Sequence, residues 1–234
     1  MNVFTKLTAV ETKLLLREPG SIVSIVLPLF ILGVFGTSVG AGDTALVPIS
    51  LTLAVGLIGL YLLPTTLASY RERGILRRMS TTPVRPGRLL AVQLLLQVVL
   101  LFVSAGLQLS VAAGVLGVNL PPSVWSVVLV FVLGASATLS IGLLIAALAP
   151  NGRAANGIGV LLFFPMAFMA GLIQSADHMP ASVAAVGEYT PLGAFRAGIQ
   201  DAWAGGTPDL FSLALLAGYA LIISAVAARC FRWE

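Results

Sequence analysis

Charge is scarce in this chain, and so are the residues that catalysis and metal binding draw on. Asp, Glu, Lys and Arg make up 9% of its 234 residues, against about 25% in a soluble domain. The single cysteine, Cys230, excludes an internal disulfide and any cysteine-based metal site. His178 is the one histidine, so a multi-histidine metal centre is excluded as well. Lysine occurs only at Lys6 and Lys13, and no G-x-x-x-x-G-K-[ST] phosphate loop exists. Nucleotide hydrolysis by that route is therefore absent from this chain.

What is present is apolar. Hydrophobic residues make up 58% and the mean hydropathy is +1.02, which describes a polytopic membrane protein. Spans of about 20 residues each would fill the chain with about six helices and short loops, leaving no room for a soluble catalytic domain. The net charge of +4 is carried by residues that flank apolar runs. That placement suits anionic lipid headgroups and gives no reason to expect a nucleic-acid partner.

Residues 1–18 repeat Val3, Leu7, Val10 and Leu14 at helical spacing, with Lys6, Lys13 and Arg17 elsewhere on the wheel. The pattern predicts an amphipathic helix lying in the headgroup plane, ended by Pro19-Gly20. Spans are expected over 21–39, 46–69, 89–116, 124–149, 156–173 and 210–228. Val39-Gly40-Ala41 resembles a signal-cleavage site, but the long acid-containing region before the run favours a retained span. Pro48 and Pro64 are expected to kink the second span, and Pro165 to interrupt the fifth. Residues 174–209 are too apolar for a loop and read as two short helices dipping into the outer leaflet, broken around Thr190-Pro191.

Orientation follows from charge. Twelve of the thirteen Lys and Arg fall on one side of this map, with Arg196 alone opposite, beside Asp43, Asp177, Glu188, Asp201 and Asp209. The positive-inside rule puts both termini in the cytoplasm, which demands an even number of spans.

No span interior holds an Asp, Glu, Lys, Arg or His on this map, which argues against a proton-driven carrier and against acid–base chemistry inside the membrane. Gly134-Ala135-Ser136-Ala137 fits a loose intramembrane serine-protease pattern, but His178 lies in the outer segment and no base is evident for Ser136. Gln93, Gln97, Ser104 and Gln108 are spaced 4, 7 and 4 and share one helix face. Such a face meets another helix or lines a wet pathway.

A transporter with neither relay groups nor a motor of its own needs a motor on another chain. Tyr70–Arg88 holds six of the thirteen basic residues between two spans. Within it Ile75, Leu76 and Met79 form an apolar patch beside Arg73, Arg77 and Arg78, a knob suited to a groove on a soluble partner.

Glu72-Arg73-Gly74-Ile75-Leu76-Arg77-Arg78-Met79, then Thr82-Pro83 and Leu89-Leu90, resembles the E-[RK]-G-T-L-x-x-L…T-P…L-L signature of type-2 ABC exporter permeases. Ile75 replaces the common Thr, and Gln93 stands where Lys is frequent. Phe164-Pro165 through Gly171, then Met179-Pro180, Thr190-Pro191-Leu192 and Phe195-Arg196, resembles that family's fifth span and outer segment. Leu16-Arg17-Glu18-Pro19 is similar to the end of its interfacial helix.

The resemblance implies an all-α permease in one transmembrane domain, 1–234, with six spans, an N-terminal interfacial helix, a cytoplasmic coupling helix in 70–88 and outer re-entrant helices. It implies a half-transporter of a bacterial inner membrane, paired with an identical or sister permease and with cytoplasmic ATP-binding subunits. ATP and Mg would sit on those subunits, and this chain would bind no cofactor. Glu72, Arg73, Gly74, Ile75, Leu76, Arg77, Arg78, Met79, Thr82 and Pro83 would couple to the ATPase. Pro180, Glu188, Pro191 and Arg196 would belong to an outer gate. The cargo would be an amphipathic or hydrophobic substrate, a drug, lipid or polysaccharide. A membrane anchor that docks a soluble partner without transport is the alternative.

Overall fold

Hydrocarbon offers no partner to a backbone N–H or C=O, so a span must pair its own. The computed structural model describes residues 3–37, 45–75, 86–174 and 178–230, and all regular structure among them is helical. A short helix α1, Val3–Leu15, leads into α2, Pro19–Gly36. Next come α3, Leu46–Glu72, α4, Pro86–Gly114, and α5, Val124–Leu148. The chain continues through α6, Gly152–Met169, two short helices α7, Ala181–Glu188, and α8, Pro191–Trp203, and finally α9, Leu210–Cys230. Six of these, α2 to α6 and α9, are long and apolar enough to cross a bilayer.

Several ends differ from the sequence expectation for local reasons. Pro19 opens α2 instead of merely separating it from α1, because its fixed φ and missing N–H suit the first helical position. The third helix continues past Ser69 to Glu72. Pro165 does not interrupt α6, which runs through it to Met169; a proline removes one N–H, and the rest of the ladder carries on. The expected turn at 40–44 and the whole of the segment 76–85 lie outside the described residues.

Pro64 does more than kink α3. The turn before it, Leu57–Leu62, is a π-helix, a looser winding that re-pairs backbone groups upstream of a missing donor. Neighbouring helices come very close to this turn. A Cβ on Gly142 of α5 would strike the carbonyl oxygen of Gly59, and one on Gly159 of α6 would strike that of Leu60. Gly59 itself lies under Thr138, whose Cβ would be 2.7 Å from an added methyl. Glycines on two helices thus let three backbones touch, as small residues do in membrane interfaces.

Around this junction α5 is central, packed along α9 and against α8 and α3. Phe195 of α8 is fully buried, its ring 6.1 Å from that of Phe131 on α5, and Gly134 leaves the space it fills. The segment 174–209 therefore contributes a core helix, not only a surface one. Thr190 caps α8: its hydroxyl accepts from Gly193 N at 3.1 Å and donates to Gly187 O at 2.7 Å, with Pro191 at the first helical position. On the other flank α4 packs on α1, α2 and α3. Phe30 of α2 and Leu221 of α9 stay largely exposed, as lipid-facing residues do.

The backbone contacts give a direct test. Gly142→Ala and Gly159→Ala place a methyl on a carbonyl oxygen that no rotamer change can move, so each should lower stability by about 1–3 kcal/mol or prevent assembly. Gly157→Ala, with nothing within 4 Å of the new methyl, should be neutral or stabilising. Thermal unfolding of the three variants in detergent checks the contrast.

Candidate functional site

A helix ends with unpaired carbonyls at its C-terminus and unpaired N–H groups at its N-terminus. In the turn from α5 to α6 both kinds face the last turn of α3. Arg71 donates from Nη1 to Ala147 O at 3.1 Å and from Nη2 to Ala149 O. Its neighbour Glu72 accepts at Oε2 from Gly152 N at 3.1 Å. The cation sits at the negative pole of α5 and the anion at the positive pole of α6, both favourable against the helix dipoles. Gly152 has no room for a Cβ because Ser69 Oγ of α3 fills that place. Asn151 completes the turn as the α6 cap, its Oδ1 accepting from Ala154 N at 2.8 Å. Two consecutive residues of α3 thus clamp the α5–α6 turn.

The chain leaves α3 through Gly74, whose φ of +65° lies in the left-handed region. Arg73 and Ile75 flank it, and Glu72, Arg73, Gly74 and Ile75 all belong to the described residues. Leu76, Arg77, Arg78, Met79, Thr82 and Pro83 lie outside them.

The same end of the bundle holds α1 by a buried carboxylate. Glu11 is only 6% exposed. Its Oε2 accepts from Tyr70 Oη at 2.7 Å and from Gln93 Nε2 at 2.5 Å, joining α1 to α3 and α4. Charge-assisted bonds of this kind are about twice as strong as neutral ones. Leu15 is buried one turn on, whereas Val10 and Leu14 are exposed. Val10 and Leu14 of the apolar stripe therefore face away from the protein, and a second face, with Glu11 and Leu15, docks. Glu18, at the turn into α2, lies 3.4 Å from Thr66 Oγ1. Burial raises its carboxyl above the ordinary range, partly offset by that hydroxyl and by the Arg73 charge.

The four polar residues of α4 are all buried inside the bundle. Gln93 belongs to the Glu11 brace, and Gln108 donates to Ser104 Oγ at 3.1 Å. Neither amide atom of Gln97 has a partner among the described residues. None of the four lines the main apolar groove. That groove, about 380 Å³, lies between α2, α3 and α6, with Leu27, Leu53, Leu57, Phe163 and Phe164 among its walls. Ser136 spends its hydroxyl on Val132 O at 2.7 Å, an ordinary back-bond within a helix.

At the far end Pro180 precedes α7 and Pro191 opens α8. Arg196 donates from Nη1 to Ala170 O at 2.6 Å, at the C-terminus of α6. Glu188 and Arg196 line a common cavity that neither proline borders. Among the described residues no three His, Cys, Asp or Glu cluster as a metal site would require.

Sequence reasoning missed Arg71, Glu11 and Tyr70. Adjacent opposite charges at the end of a span were a usable signal for Arg71, and Glu11 sits four residues from both Leu7 and Leu15. Their partners, however, are dozens of residues away.

A family model described as ABC-2 type transporter matches residues 2–201, from the start of α1 to near the end of α8. No curated protein matches the chain.

The clamp and the brace carry measurable energy. Arg71→Ala and Glu72→Ala should each lower unfolding stability by about 1–3 kcal/mol. Because both residues hold one turn, the double variant should fall short of the sum; strict additivity in thermal unfolding would show two independent contacts. Glu18 gives a pH signature. Its folded-state pKa is raised above 4.5, so the folded bundle loses stability as pH rises from that value through the raised one. Glu18→Gln should flatten the stability profile over that window.

Proposed function

Because the chain belongs to the ABC-2 type transporter family, we propose that it is the membrane-spanning permease subunit of an ATP-driven exporter. In this reading ATP is hydrolysed on a separate cytoplasmic subunit, and the permease works as a homodimer or with a sister chain in a bacterial inner membrane. Charge asymmetry supports cytoplasmic termini, and with them a cytoplasmic position for the basic segment after α3.

The Arg71–Glu72 clamp is the observation that carries the proposal. It lies at the root of the basic segment and grips the turn that begins α6. Phe163 and Phe164 of α6 form a wall of the apolar groove. A push that reaches Arg71 and Glu72 would therefore pass to the groove through one hydrogen-bonded turn and one helix. Transmission of this kind needs packed elements that both ends bias. The groove's apolar walls favour an amphipathic or hydrophobic cargo over a strongly charged one. Expulsion, not uptake, follows the likeness of the Glu72–Pro83 motif to exporter permeases.

Two measurements test this. The permease purified alone should show no ATPase activity, and from native membranes it should retain an ATP-binding chain. Leu76→Asp with Arg77→Asp should release that chain while the bundle still folds. Retention after the double change would remove the coupling role of the segment. Vesicles holding both subunits should expel an amphipathic dye on ATP addition; a stable complex without efflux of any tested amphiphile would favour the anchor.

A further inference from the structure

At the end of the bundle where α6 stops, two opposite charges face one cavity without meeting. The cavity measures about 440 Å³, within the range of small-ligand sites. Arg196 and Gln200, four residues apart on one face of α8, line it together with Glu188 at the end of α7. Much of the remaining wall is small, including Gly187, Gly193 and Ala197.

Arg196 is held where it is. Its Nη1 is bound to Ala170 O, and Gly171, at φ +73°, leaves space that a Cβ would take from the guanidinium. Its Nε is buried without a partner. Burial lowers the guanidinium's pKa, and among the described residues no ion pair joins it to Glu188. A guanidinium offers five N–H donors, and the single bond to Ala170 leaves most of that fork unused among the described residues.

The apolar groove reaches the same place. Ala167 and Leu172 line the groove, whereas Met169 and Ala170 line the charged cavity. Both spaces thus border the last turn of α6, one apolar and running along the bundle, the other charged and at its end.

We propose that the cavity binds a phosphodiester bearing a nearby ammonium, the headgroup chemistry of a phosphoethanolamine lipid. The phosphate sits on Arg196 and the Gln200 amide, in keeping with the preference of arginine for phosphate oxygens. The ammonium sits against Glu188. An acyl chain follows α6 into the adjoining groove, which favours a membrane lipid over a water-soluble zwitterion. The site requires only that the bundle spans a bilayer. It stands or falls independently of the ATP-coupled reading.

The test uses the full chain with whatever subunits it retains, delipidated in detergent and followed by thermal midpoint. Short-chain phosphatidylethanolamine should raise the midpoint saturably. Short-chain phosphatidylglycerol, with the phosphate but no ammonium, should act more weakly, as should glycerophosphoethanolamine, which lacks the chains. Arg196→Gln should weaken phosphatidylethanolamine by about tenfold or more, the loss expected for a charge-assisted bond. Since Arg196 also caps α6, Glu188→Gln and Gln200→Ala serve as variants that spare the cap. Glu188→Gln should abolish the preference for phosphatidylethanolamine over phosphatidylglycerol, and Gln200→Ala should weaken both lipids. Equal responses to the two lipids in the wild type, or a preference that survives Glu188→Gln, would overturn the headgroup assignment. Saturation by glycerophosphoethanolamine at the concentration that suffices for the lipid would overturn the role of the groove.

Discussion

Backbone polar groups cannot be left open in hydrocarbon, and the answer this chain gives at Pro64 shapes the bundle around it. The proline removes a donor from the middle of α3, and the helix responds by widening into a π turn over Leu57–Leu62. The carbonyls of Gly59 and Leu60 then lie against Gly142 and Gly159. Each glycine is needed because the atom it faces is backbone and has no rotamer to yield. Helices α3, α5 and α6 are therefore fixed at separations that side chains would forbid. The groove between α2, α3 and α6 inherits its shape from that junction, since Leu57 of the π turn is one of its walls.

The ends of the bundle are governed by helix poles. Arg71 takes the carbonyls ending α5, and Arg196 takes the carbonyl ending α6 at the opposite end. Each arginine comes from a different helix than the one it caps, so the dipole interaction doubles as a tertiary contact. Glu72 adds the complementary case at the start of α6. The sixth helix is consequently held at both ends by charged side chains of α3 and α8. A helix gripped in this way moves as a unit.

Three sets of polar side chains show where prediction from the chain fails. The helical face of Gln93, Gln97, Ser104 and Gln108 is legible from spacing alone. Its burial is not, because periodicity groups residues without saying what they face. Glu11 looked like one acid of an amphipathic helix, yet it is the group that docks that helix, through Tyr70 and Gln93. Likewise Glu72 reads as part of a coupling motif, and its carboxylate is already bound to Gly152 N. A side chain that meets a partner 80 residues away leaves no local trace of the meeting.

Hydropathy alone determined that six helices of this chain are apolar enough to cross a bilayer, since burial in lipid depends on composition summed over a span. The break at Thr190-Pro191 and the start of a helix there were also local, set by a hydroxyl cap and a fixed φ. Only the tertiary structure decided which of two faces α1 docks by, and that Pro64 yields a π turn while Pro165 passes without a break. It also decided that α8 is a core helix carrying the buried Phe195, and that Arg71 and Glu72 face opposite poles of one turn. Those outcomes depend on close contacts between segments far apart in sequence, where a glycine or a helix end is defined by its neighbour in space.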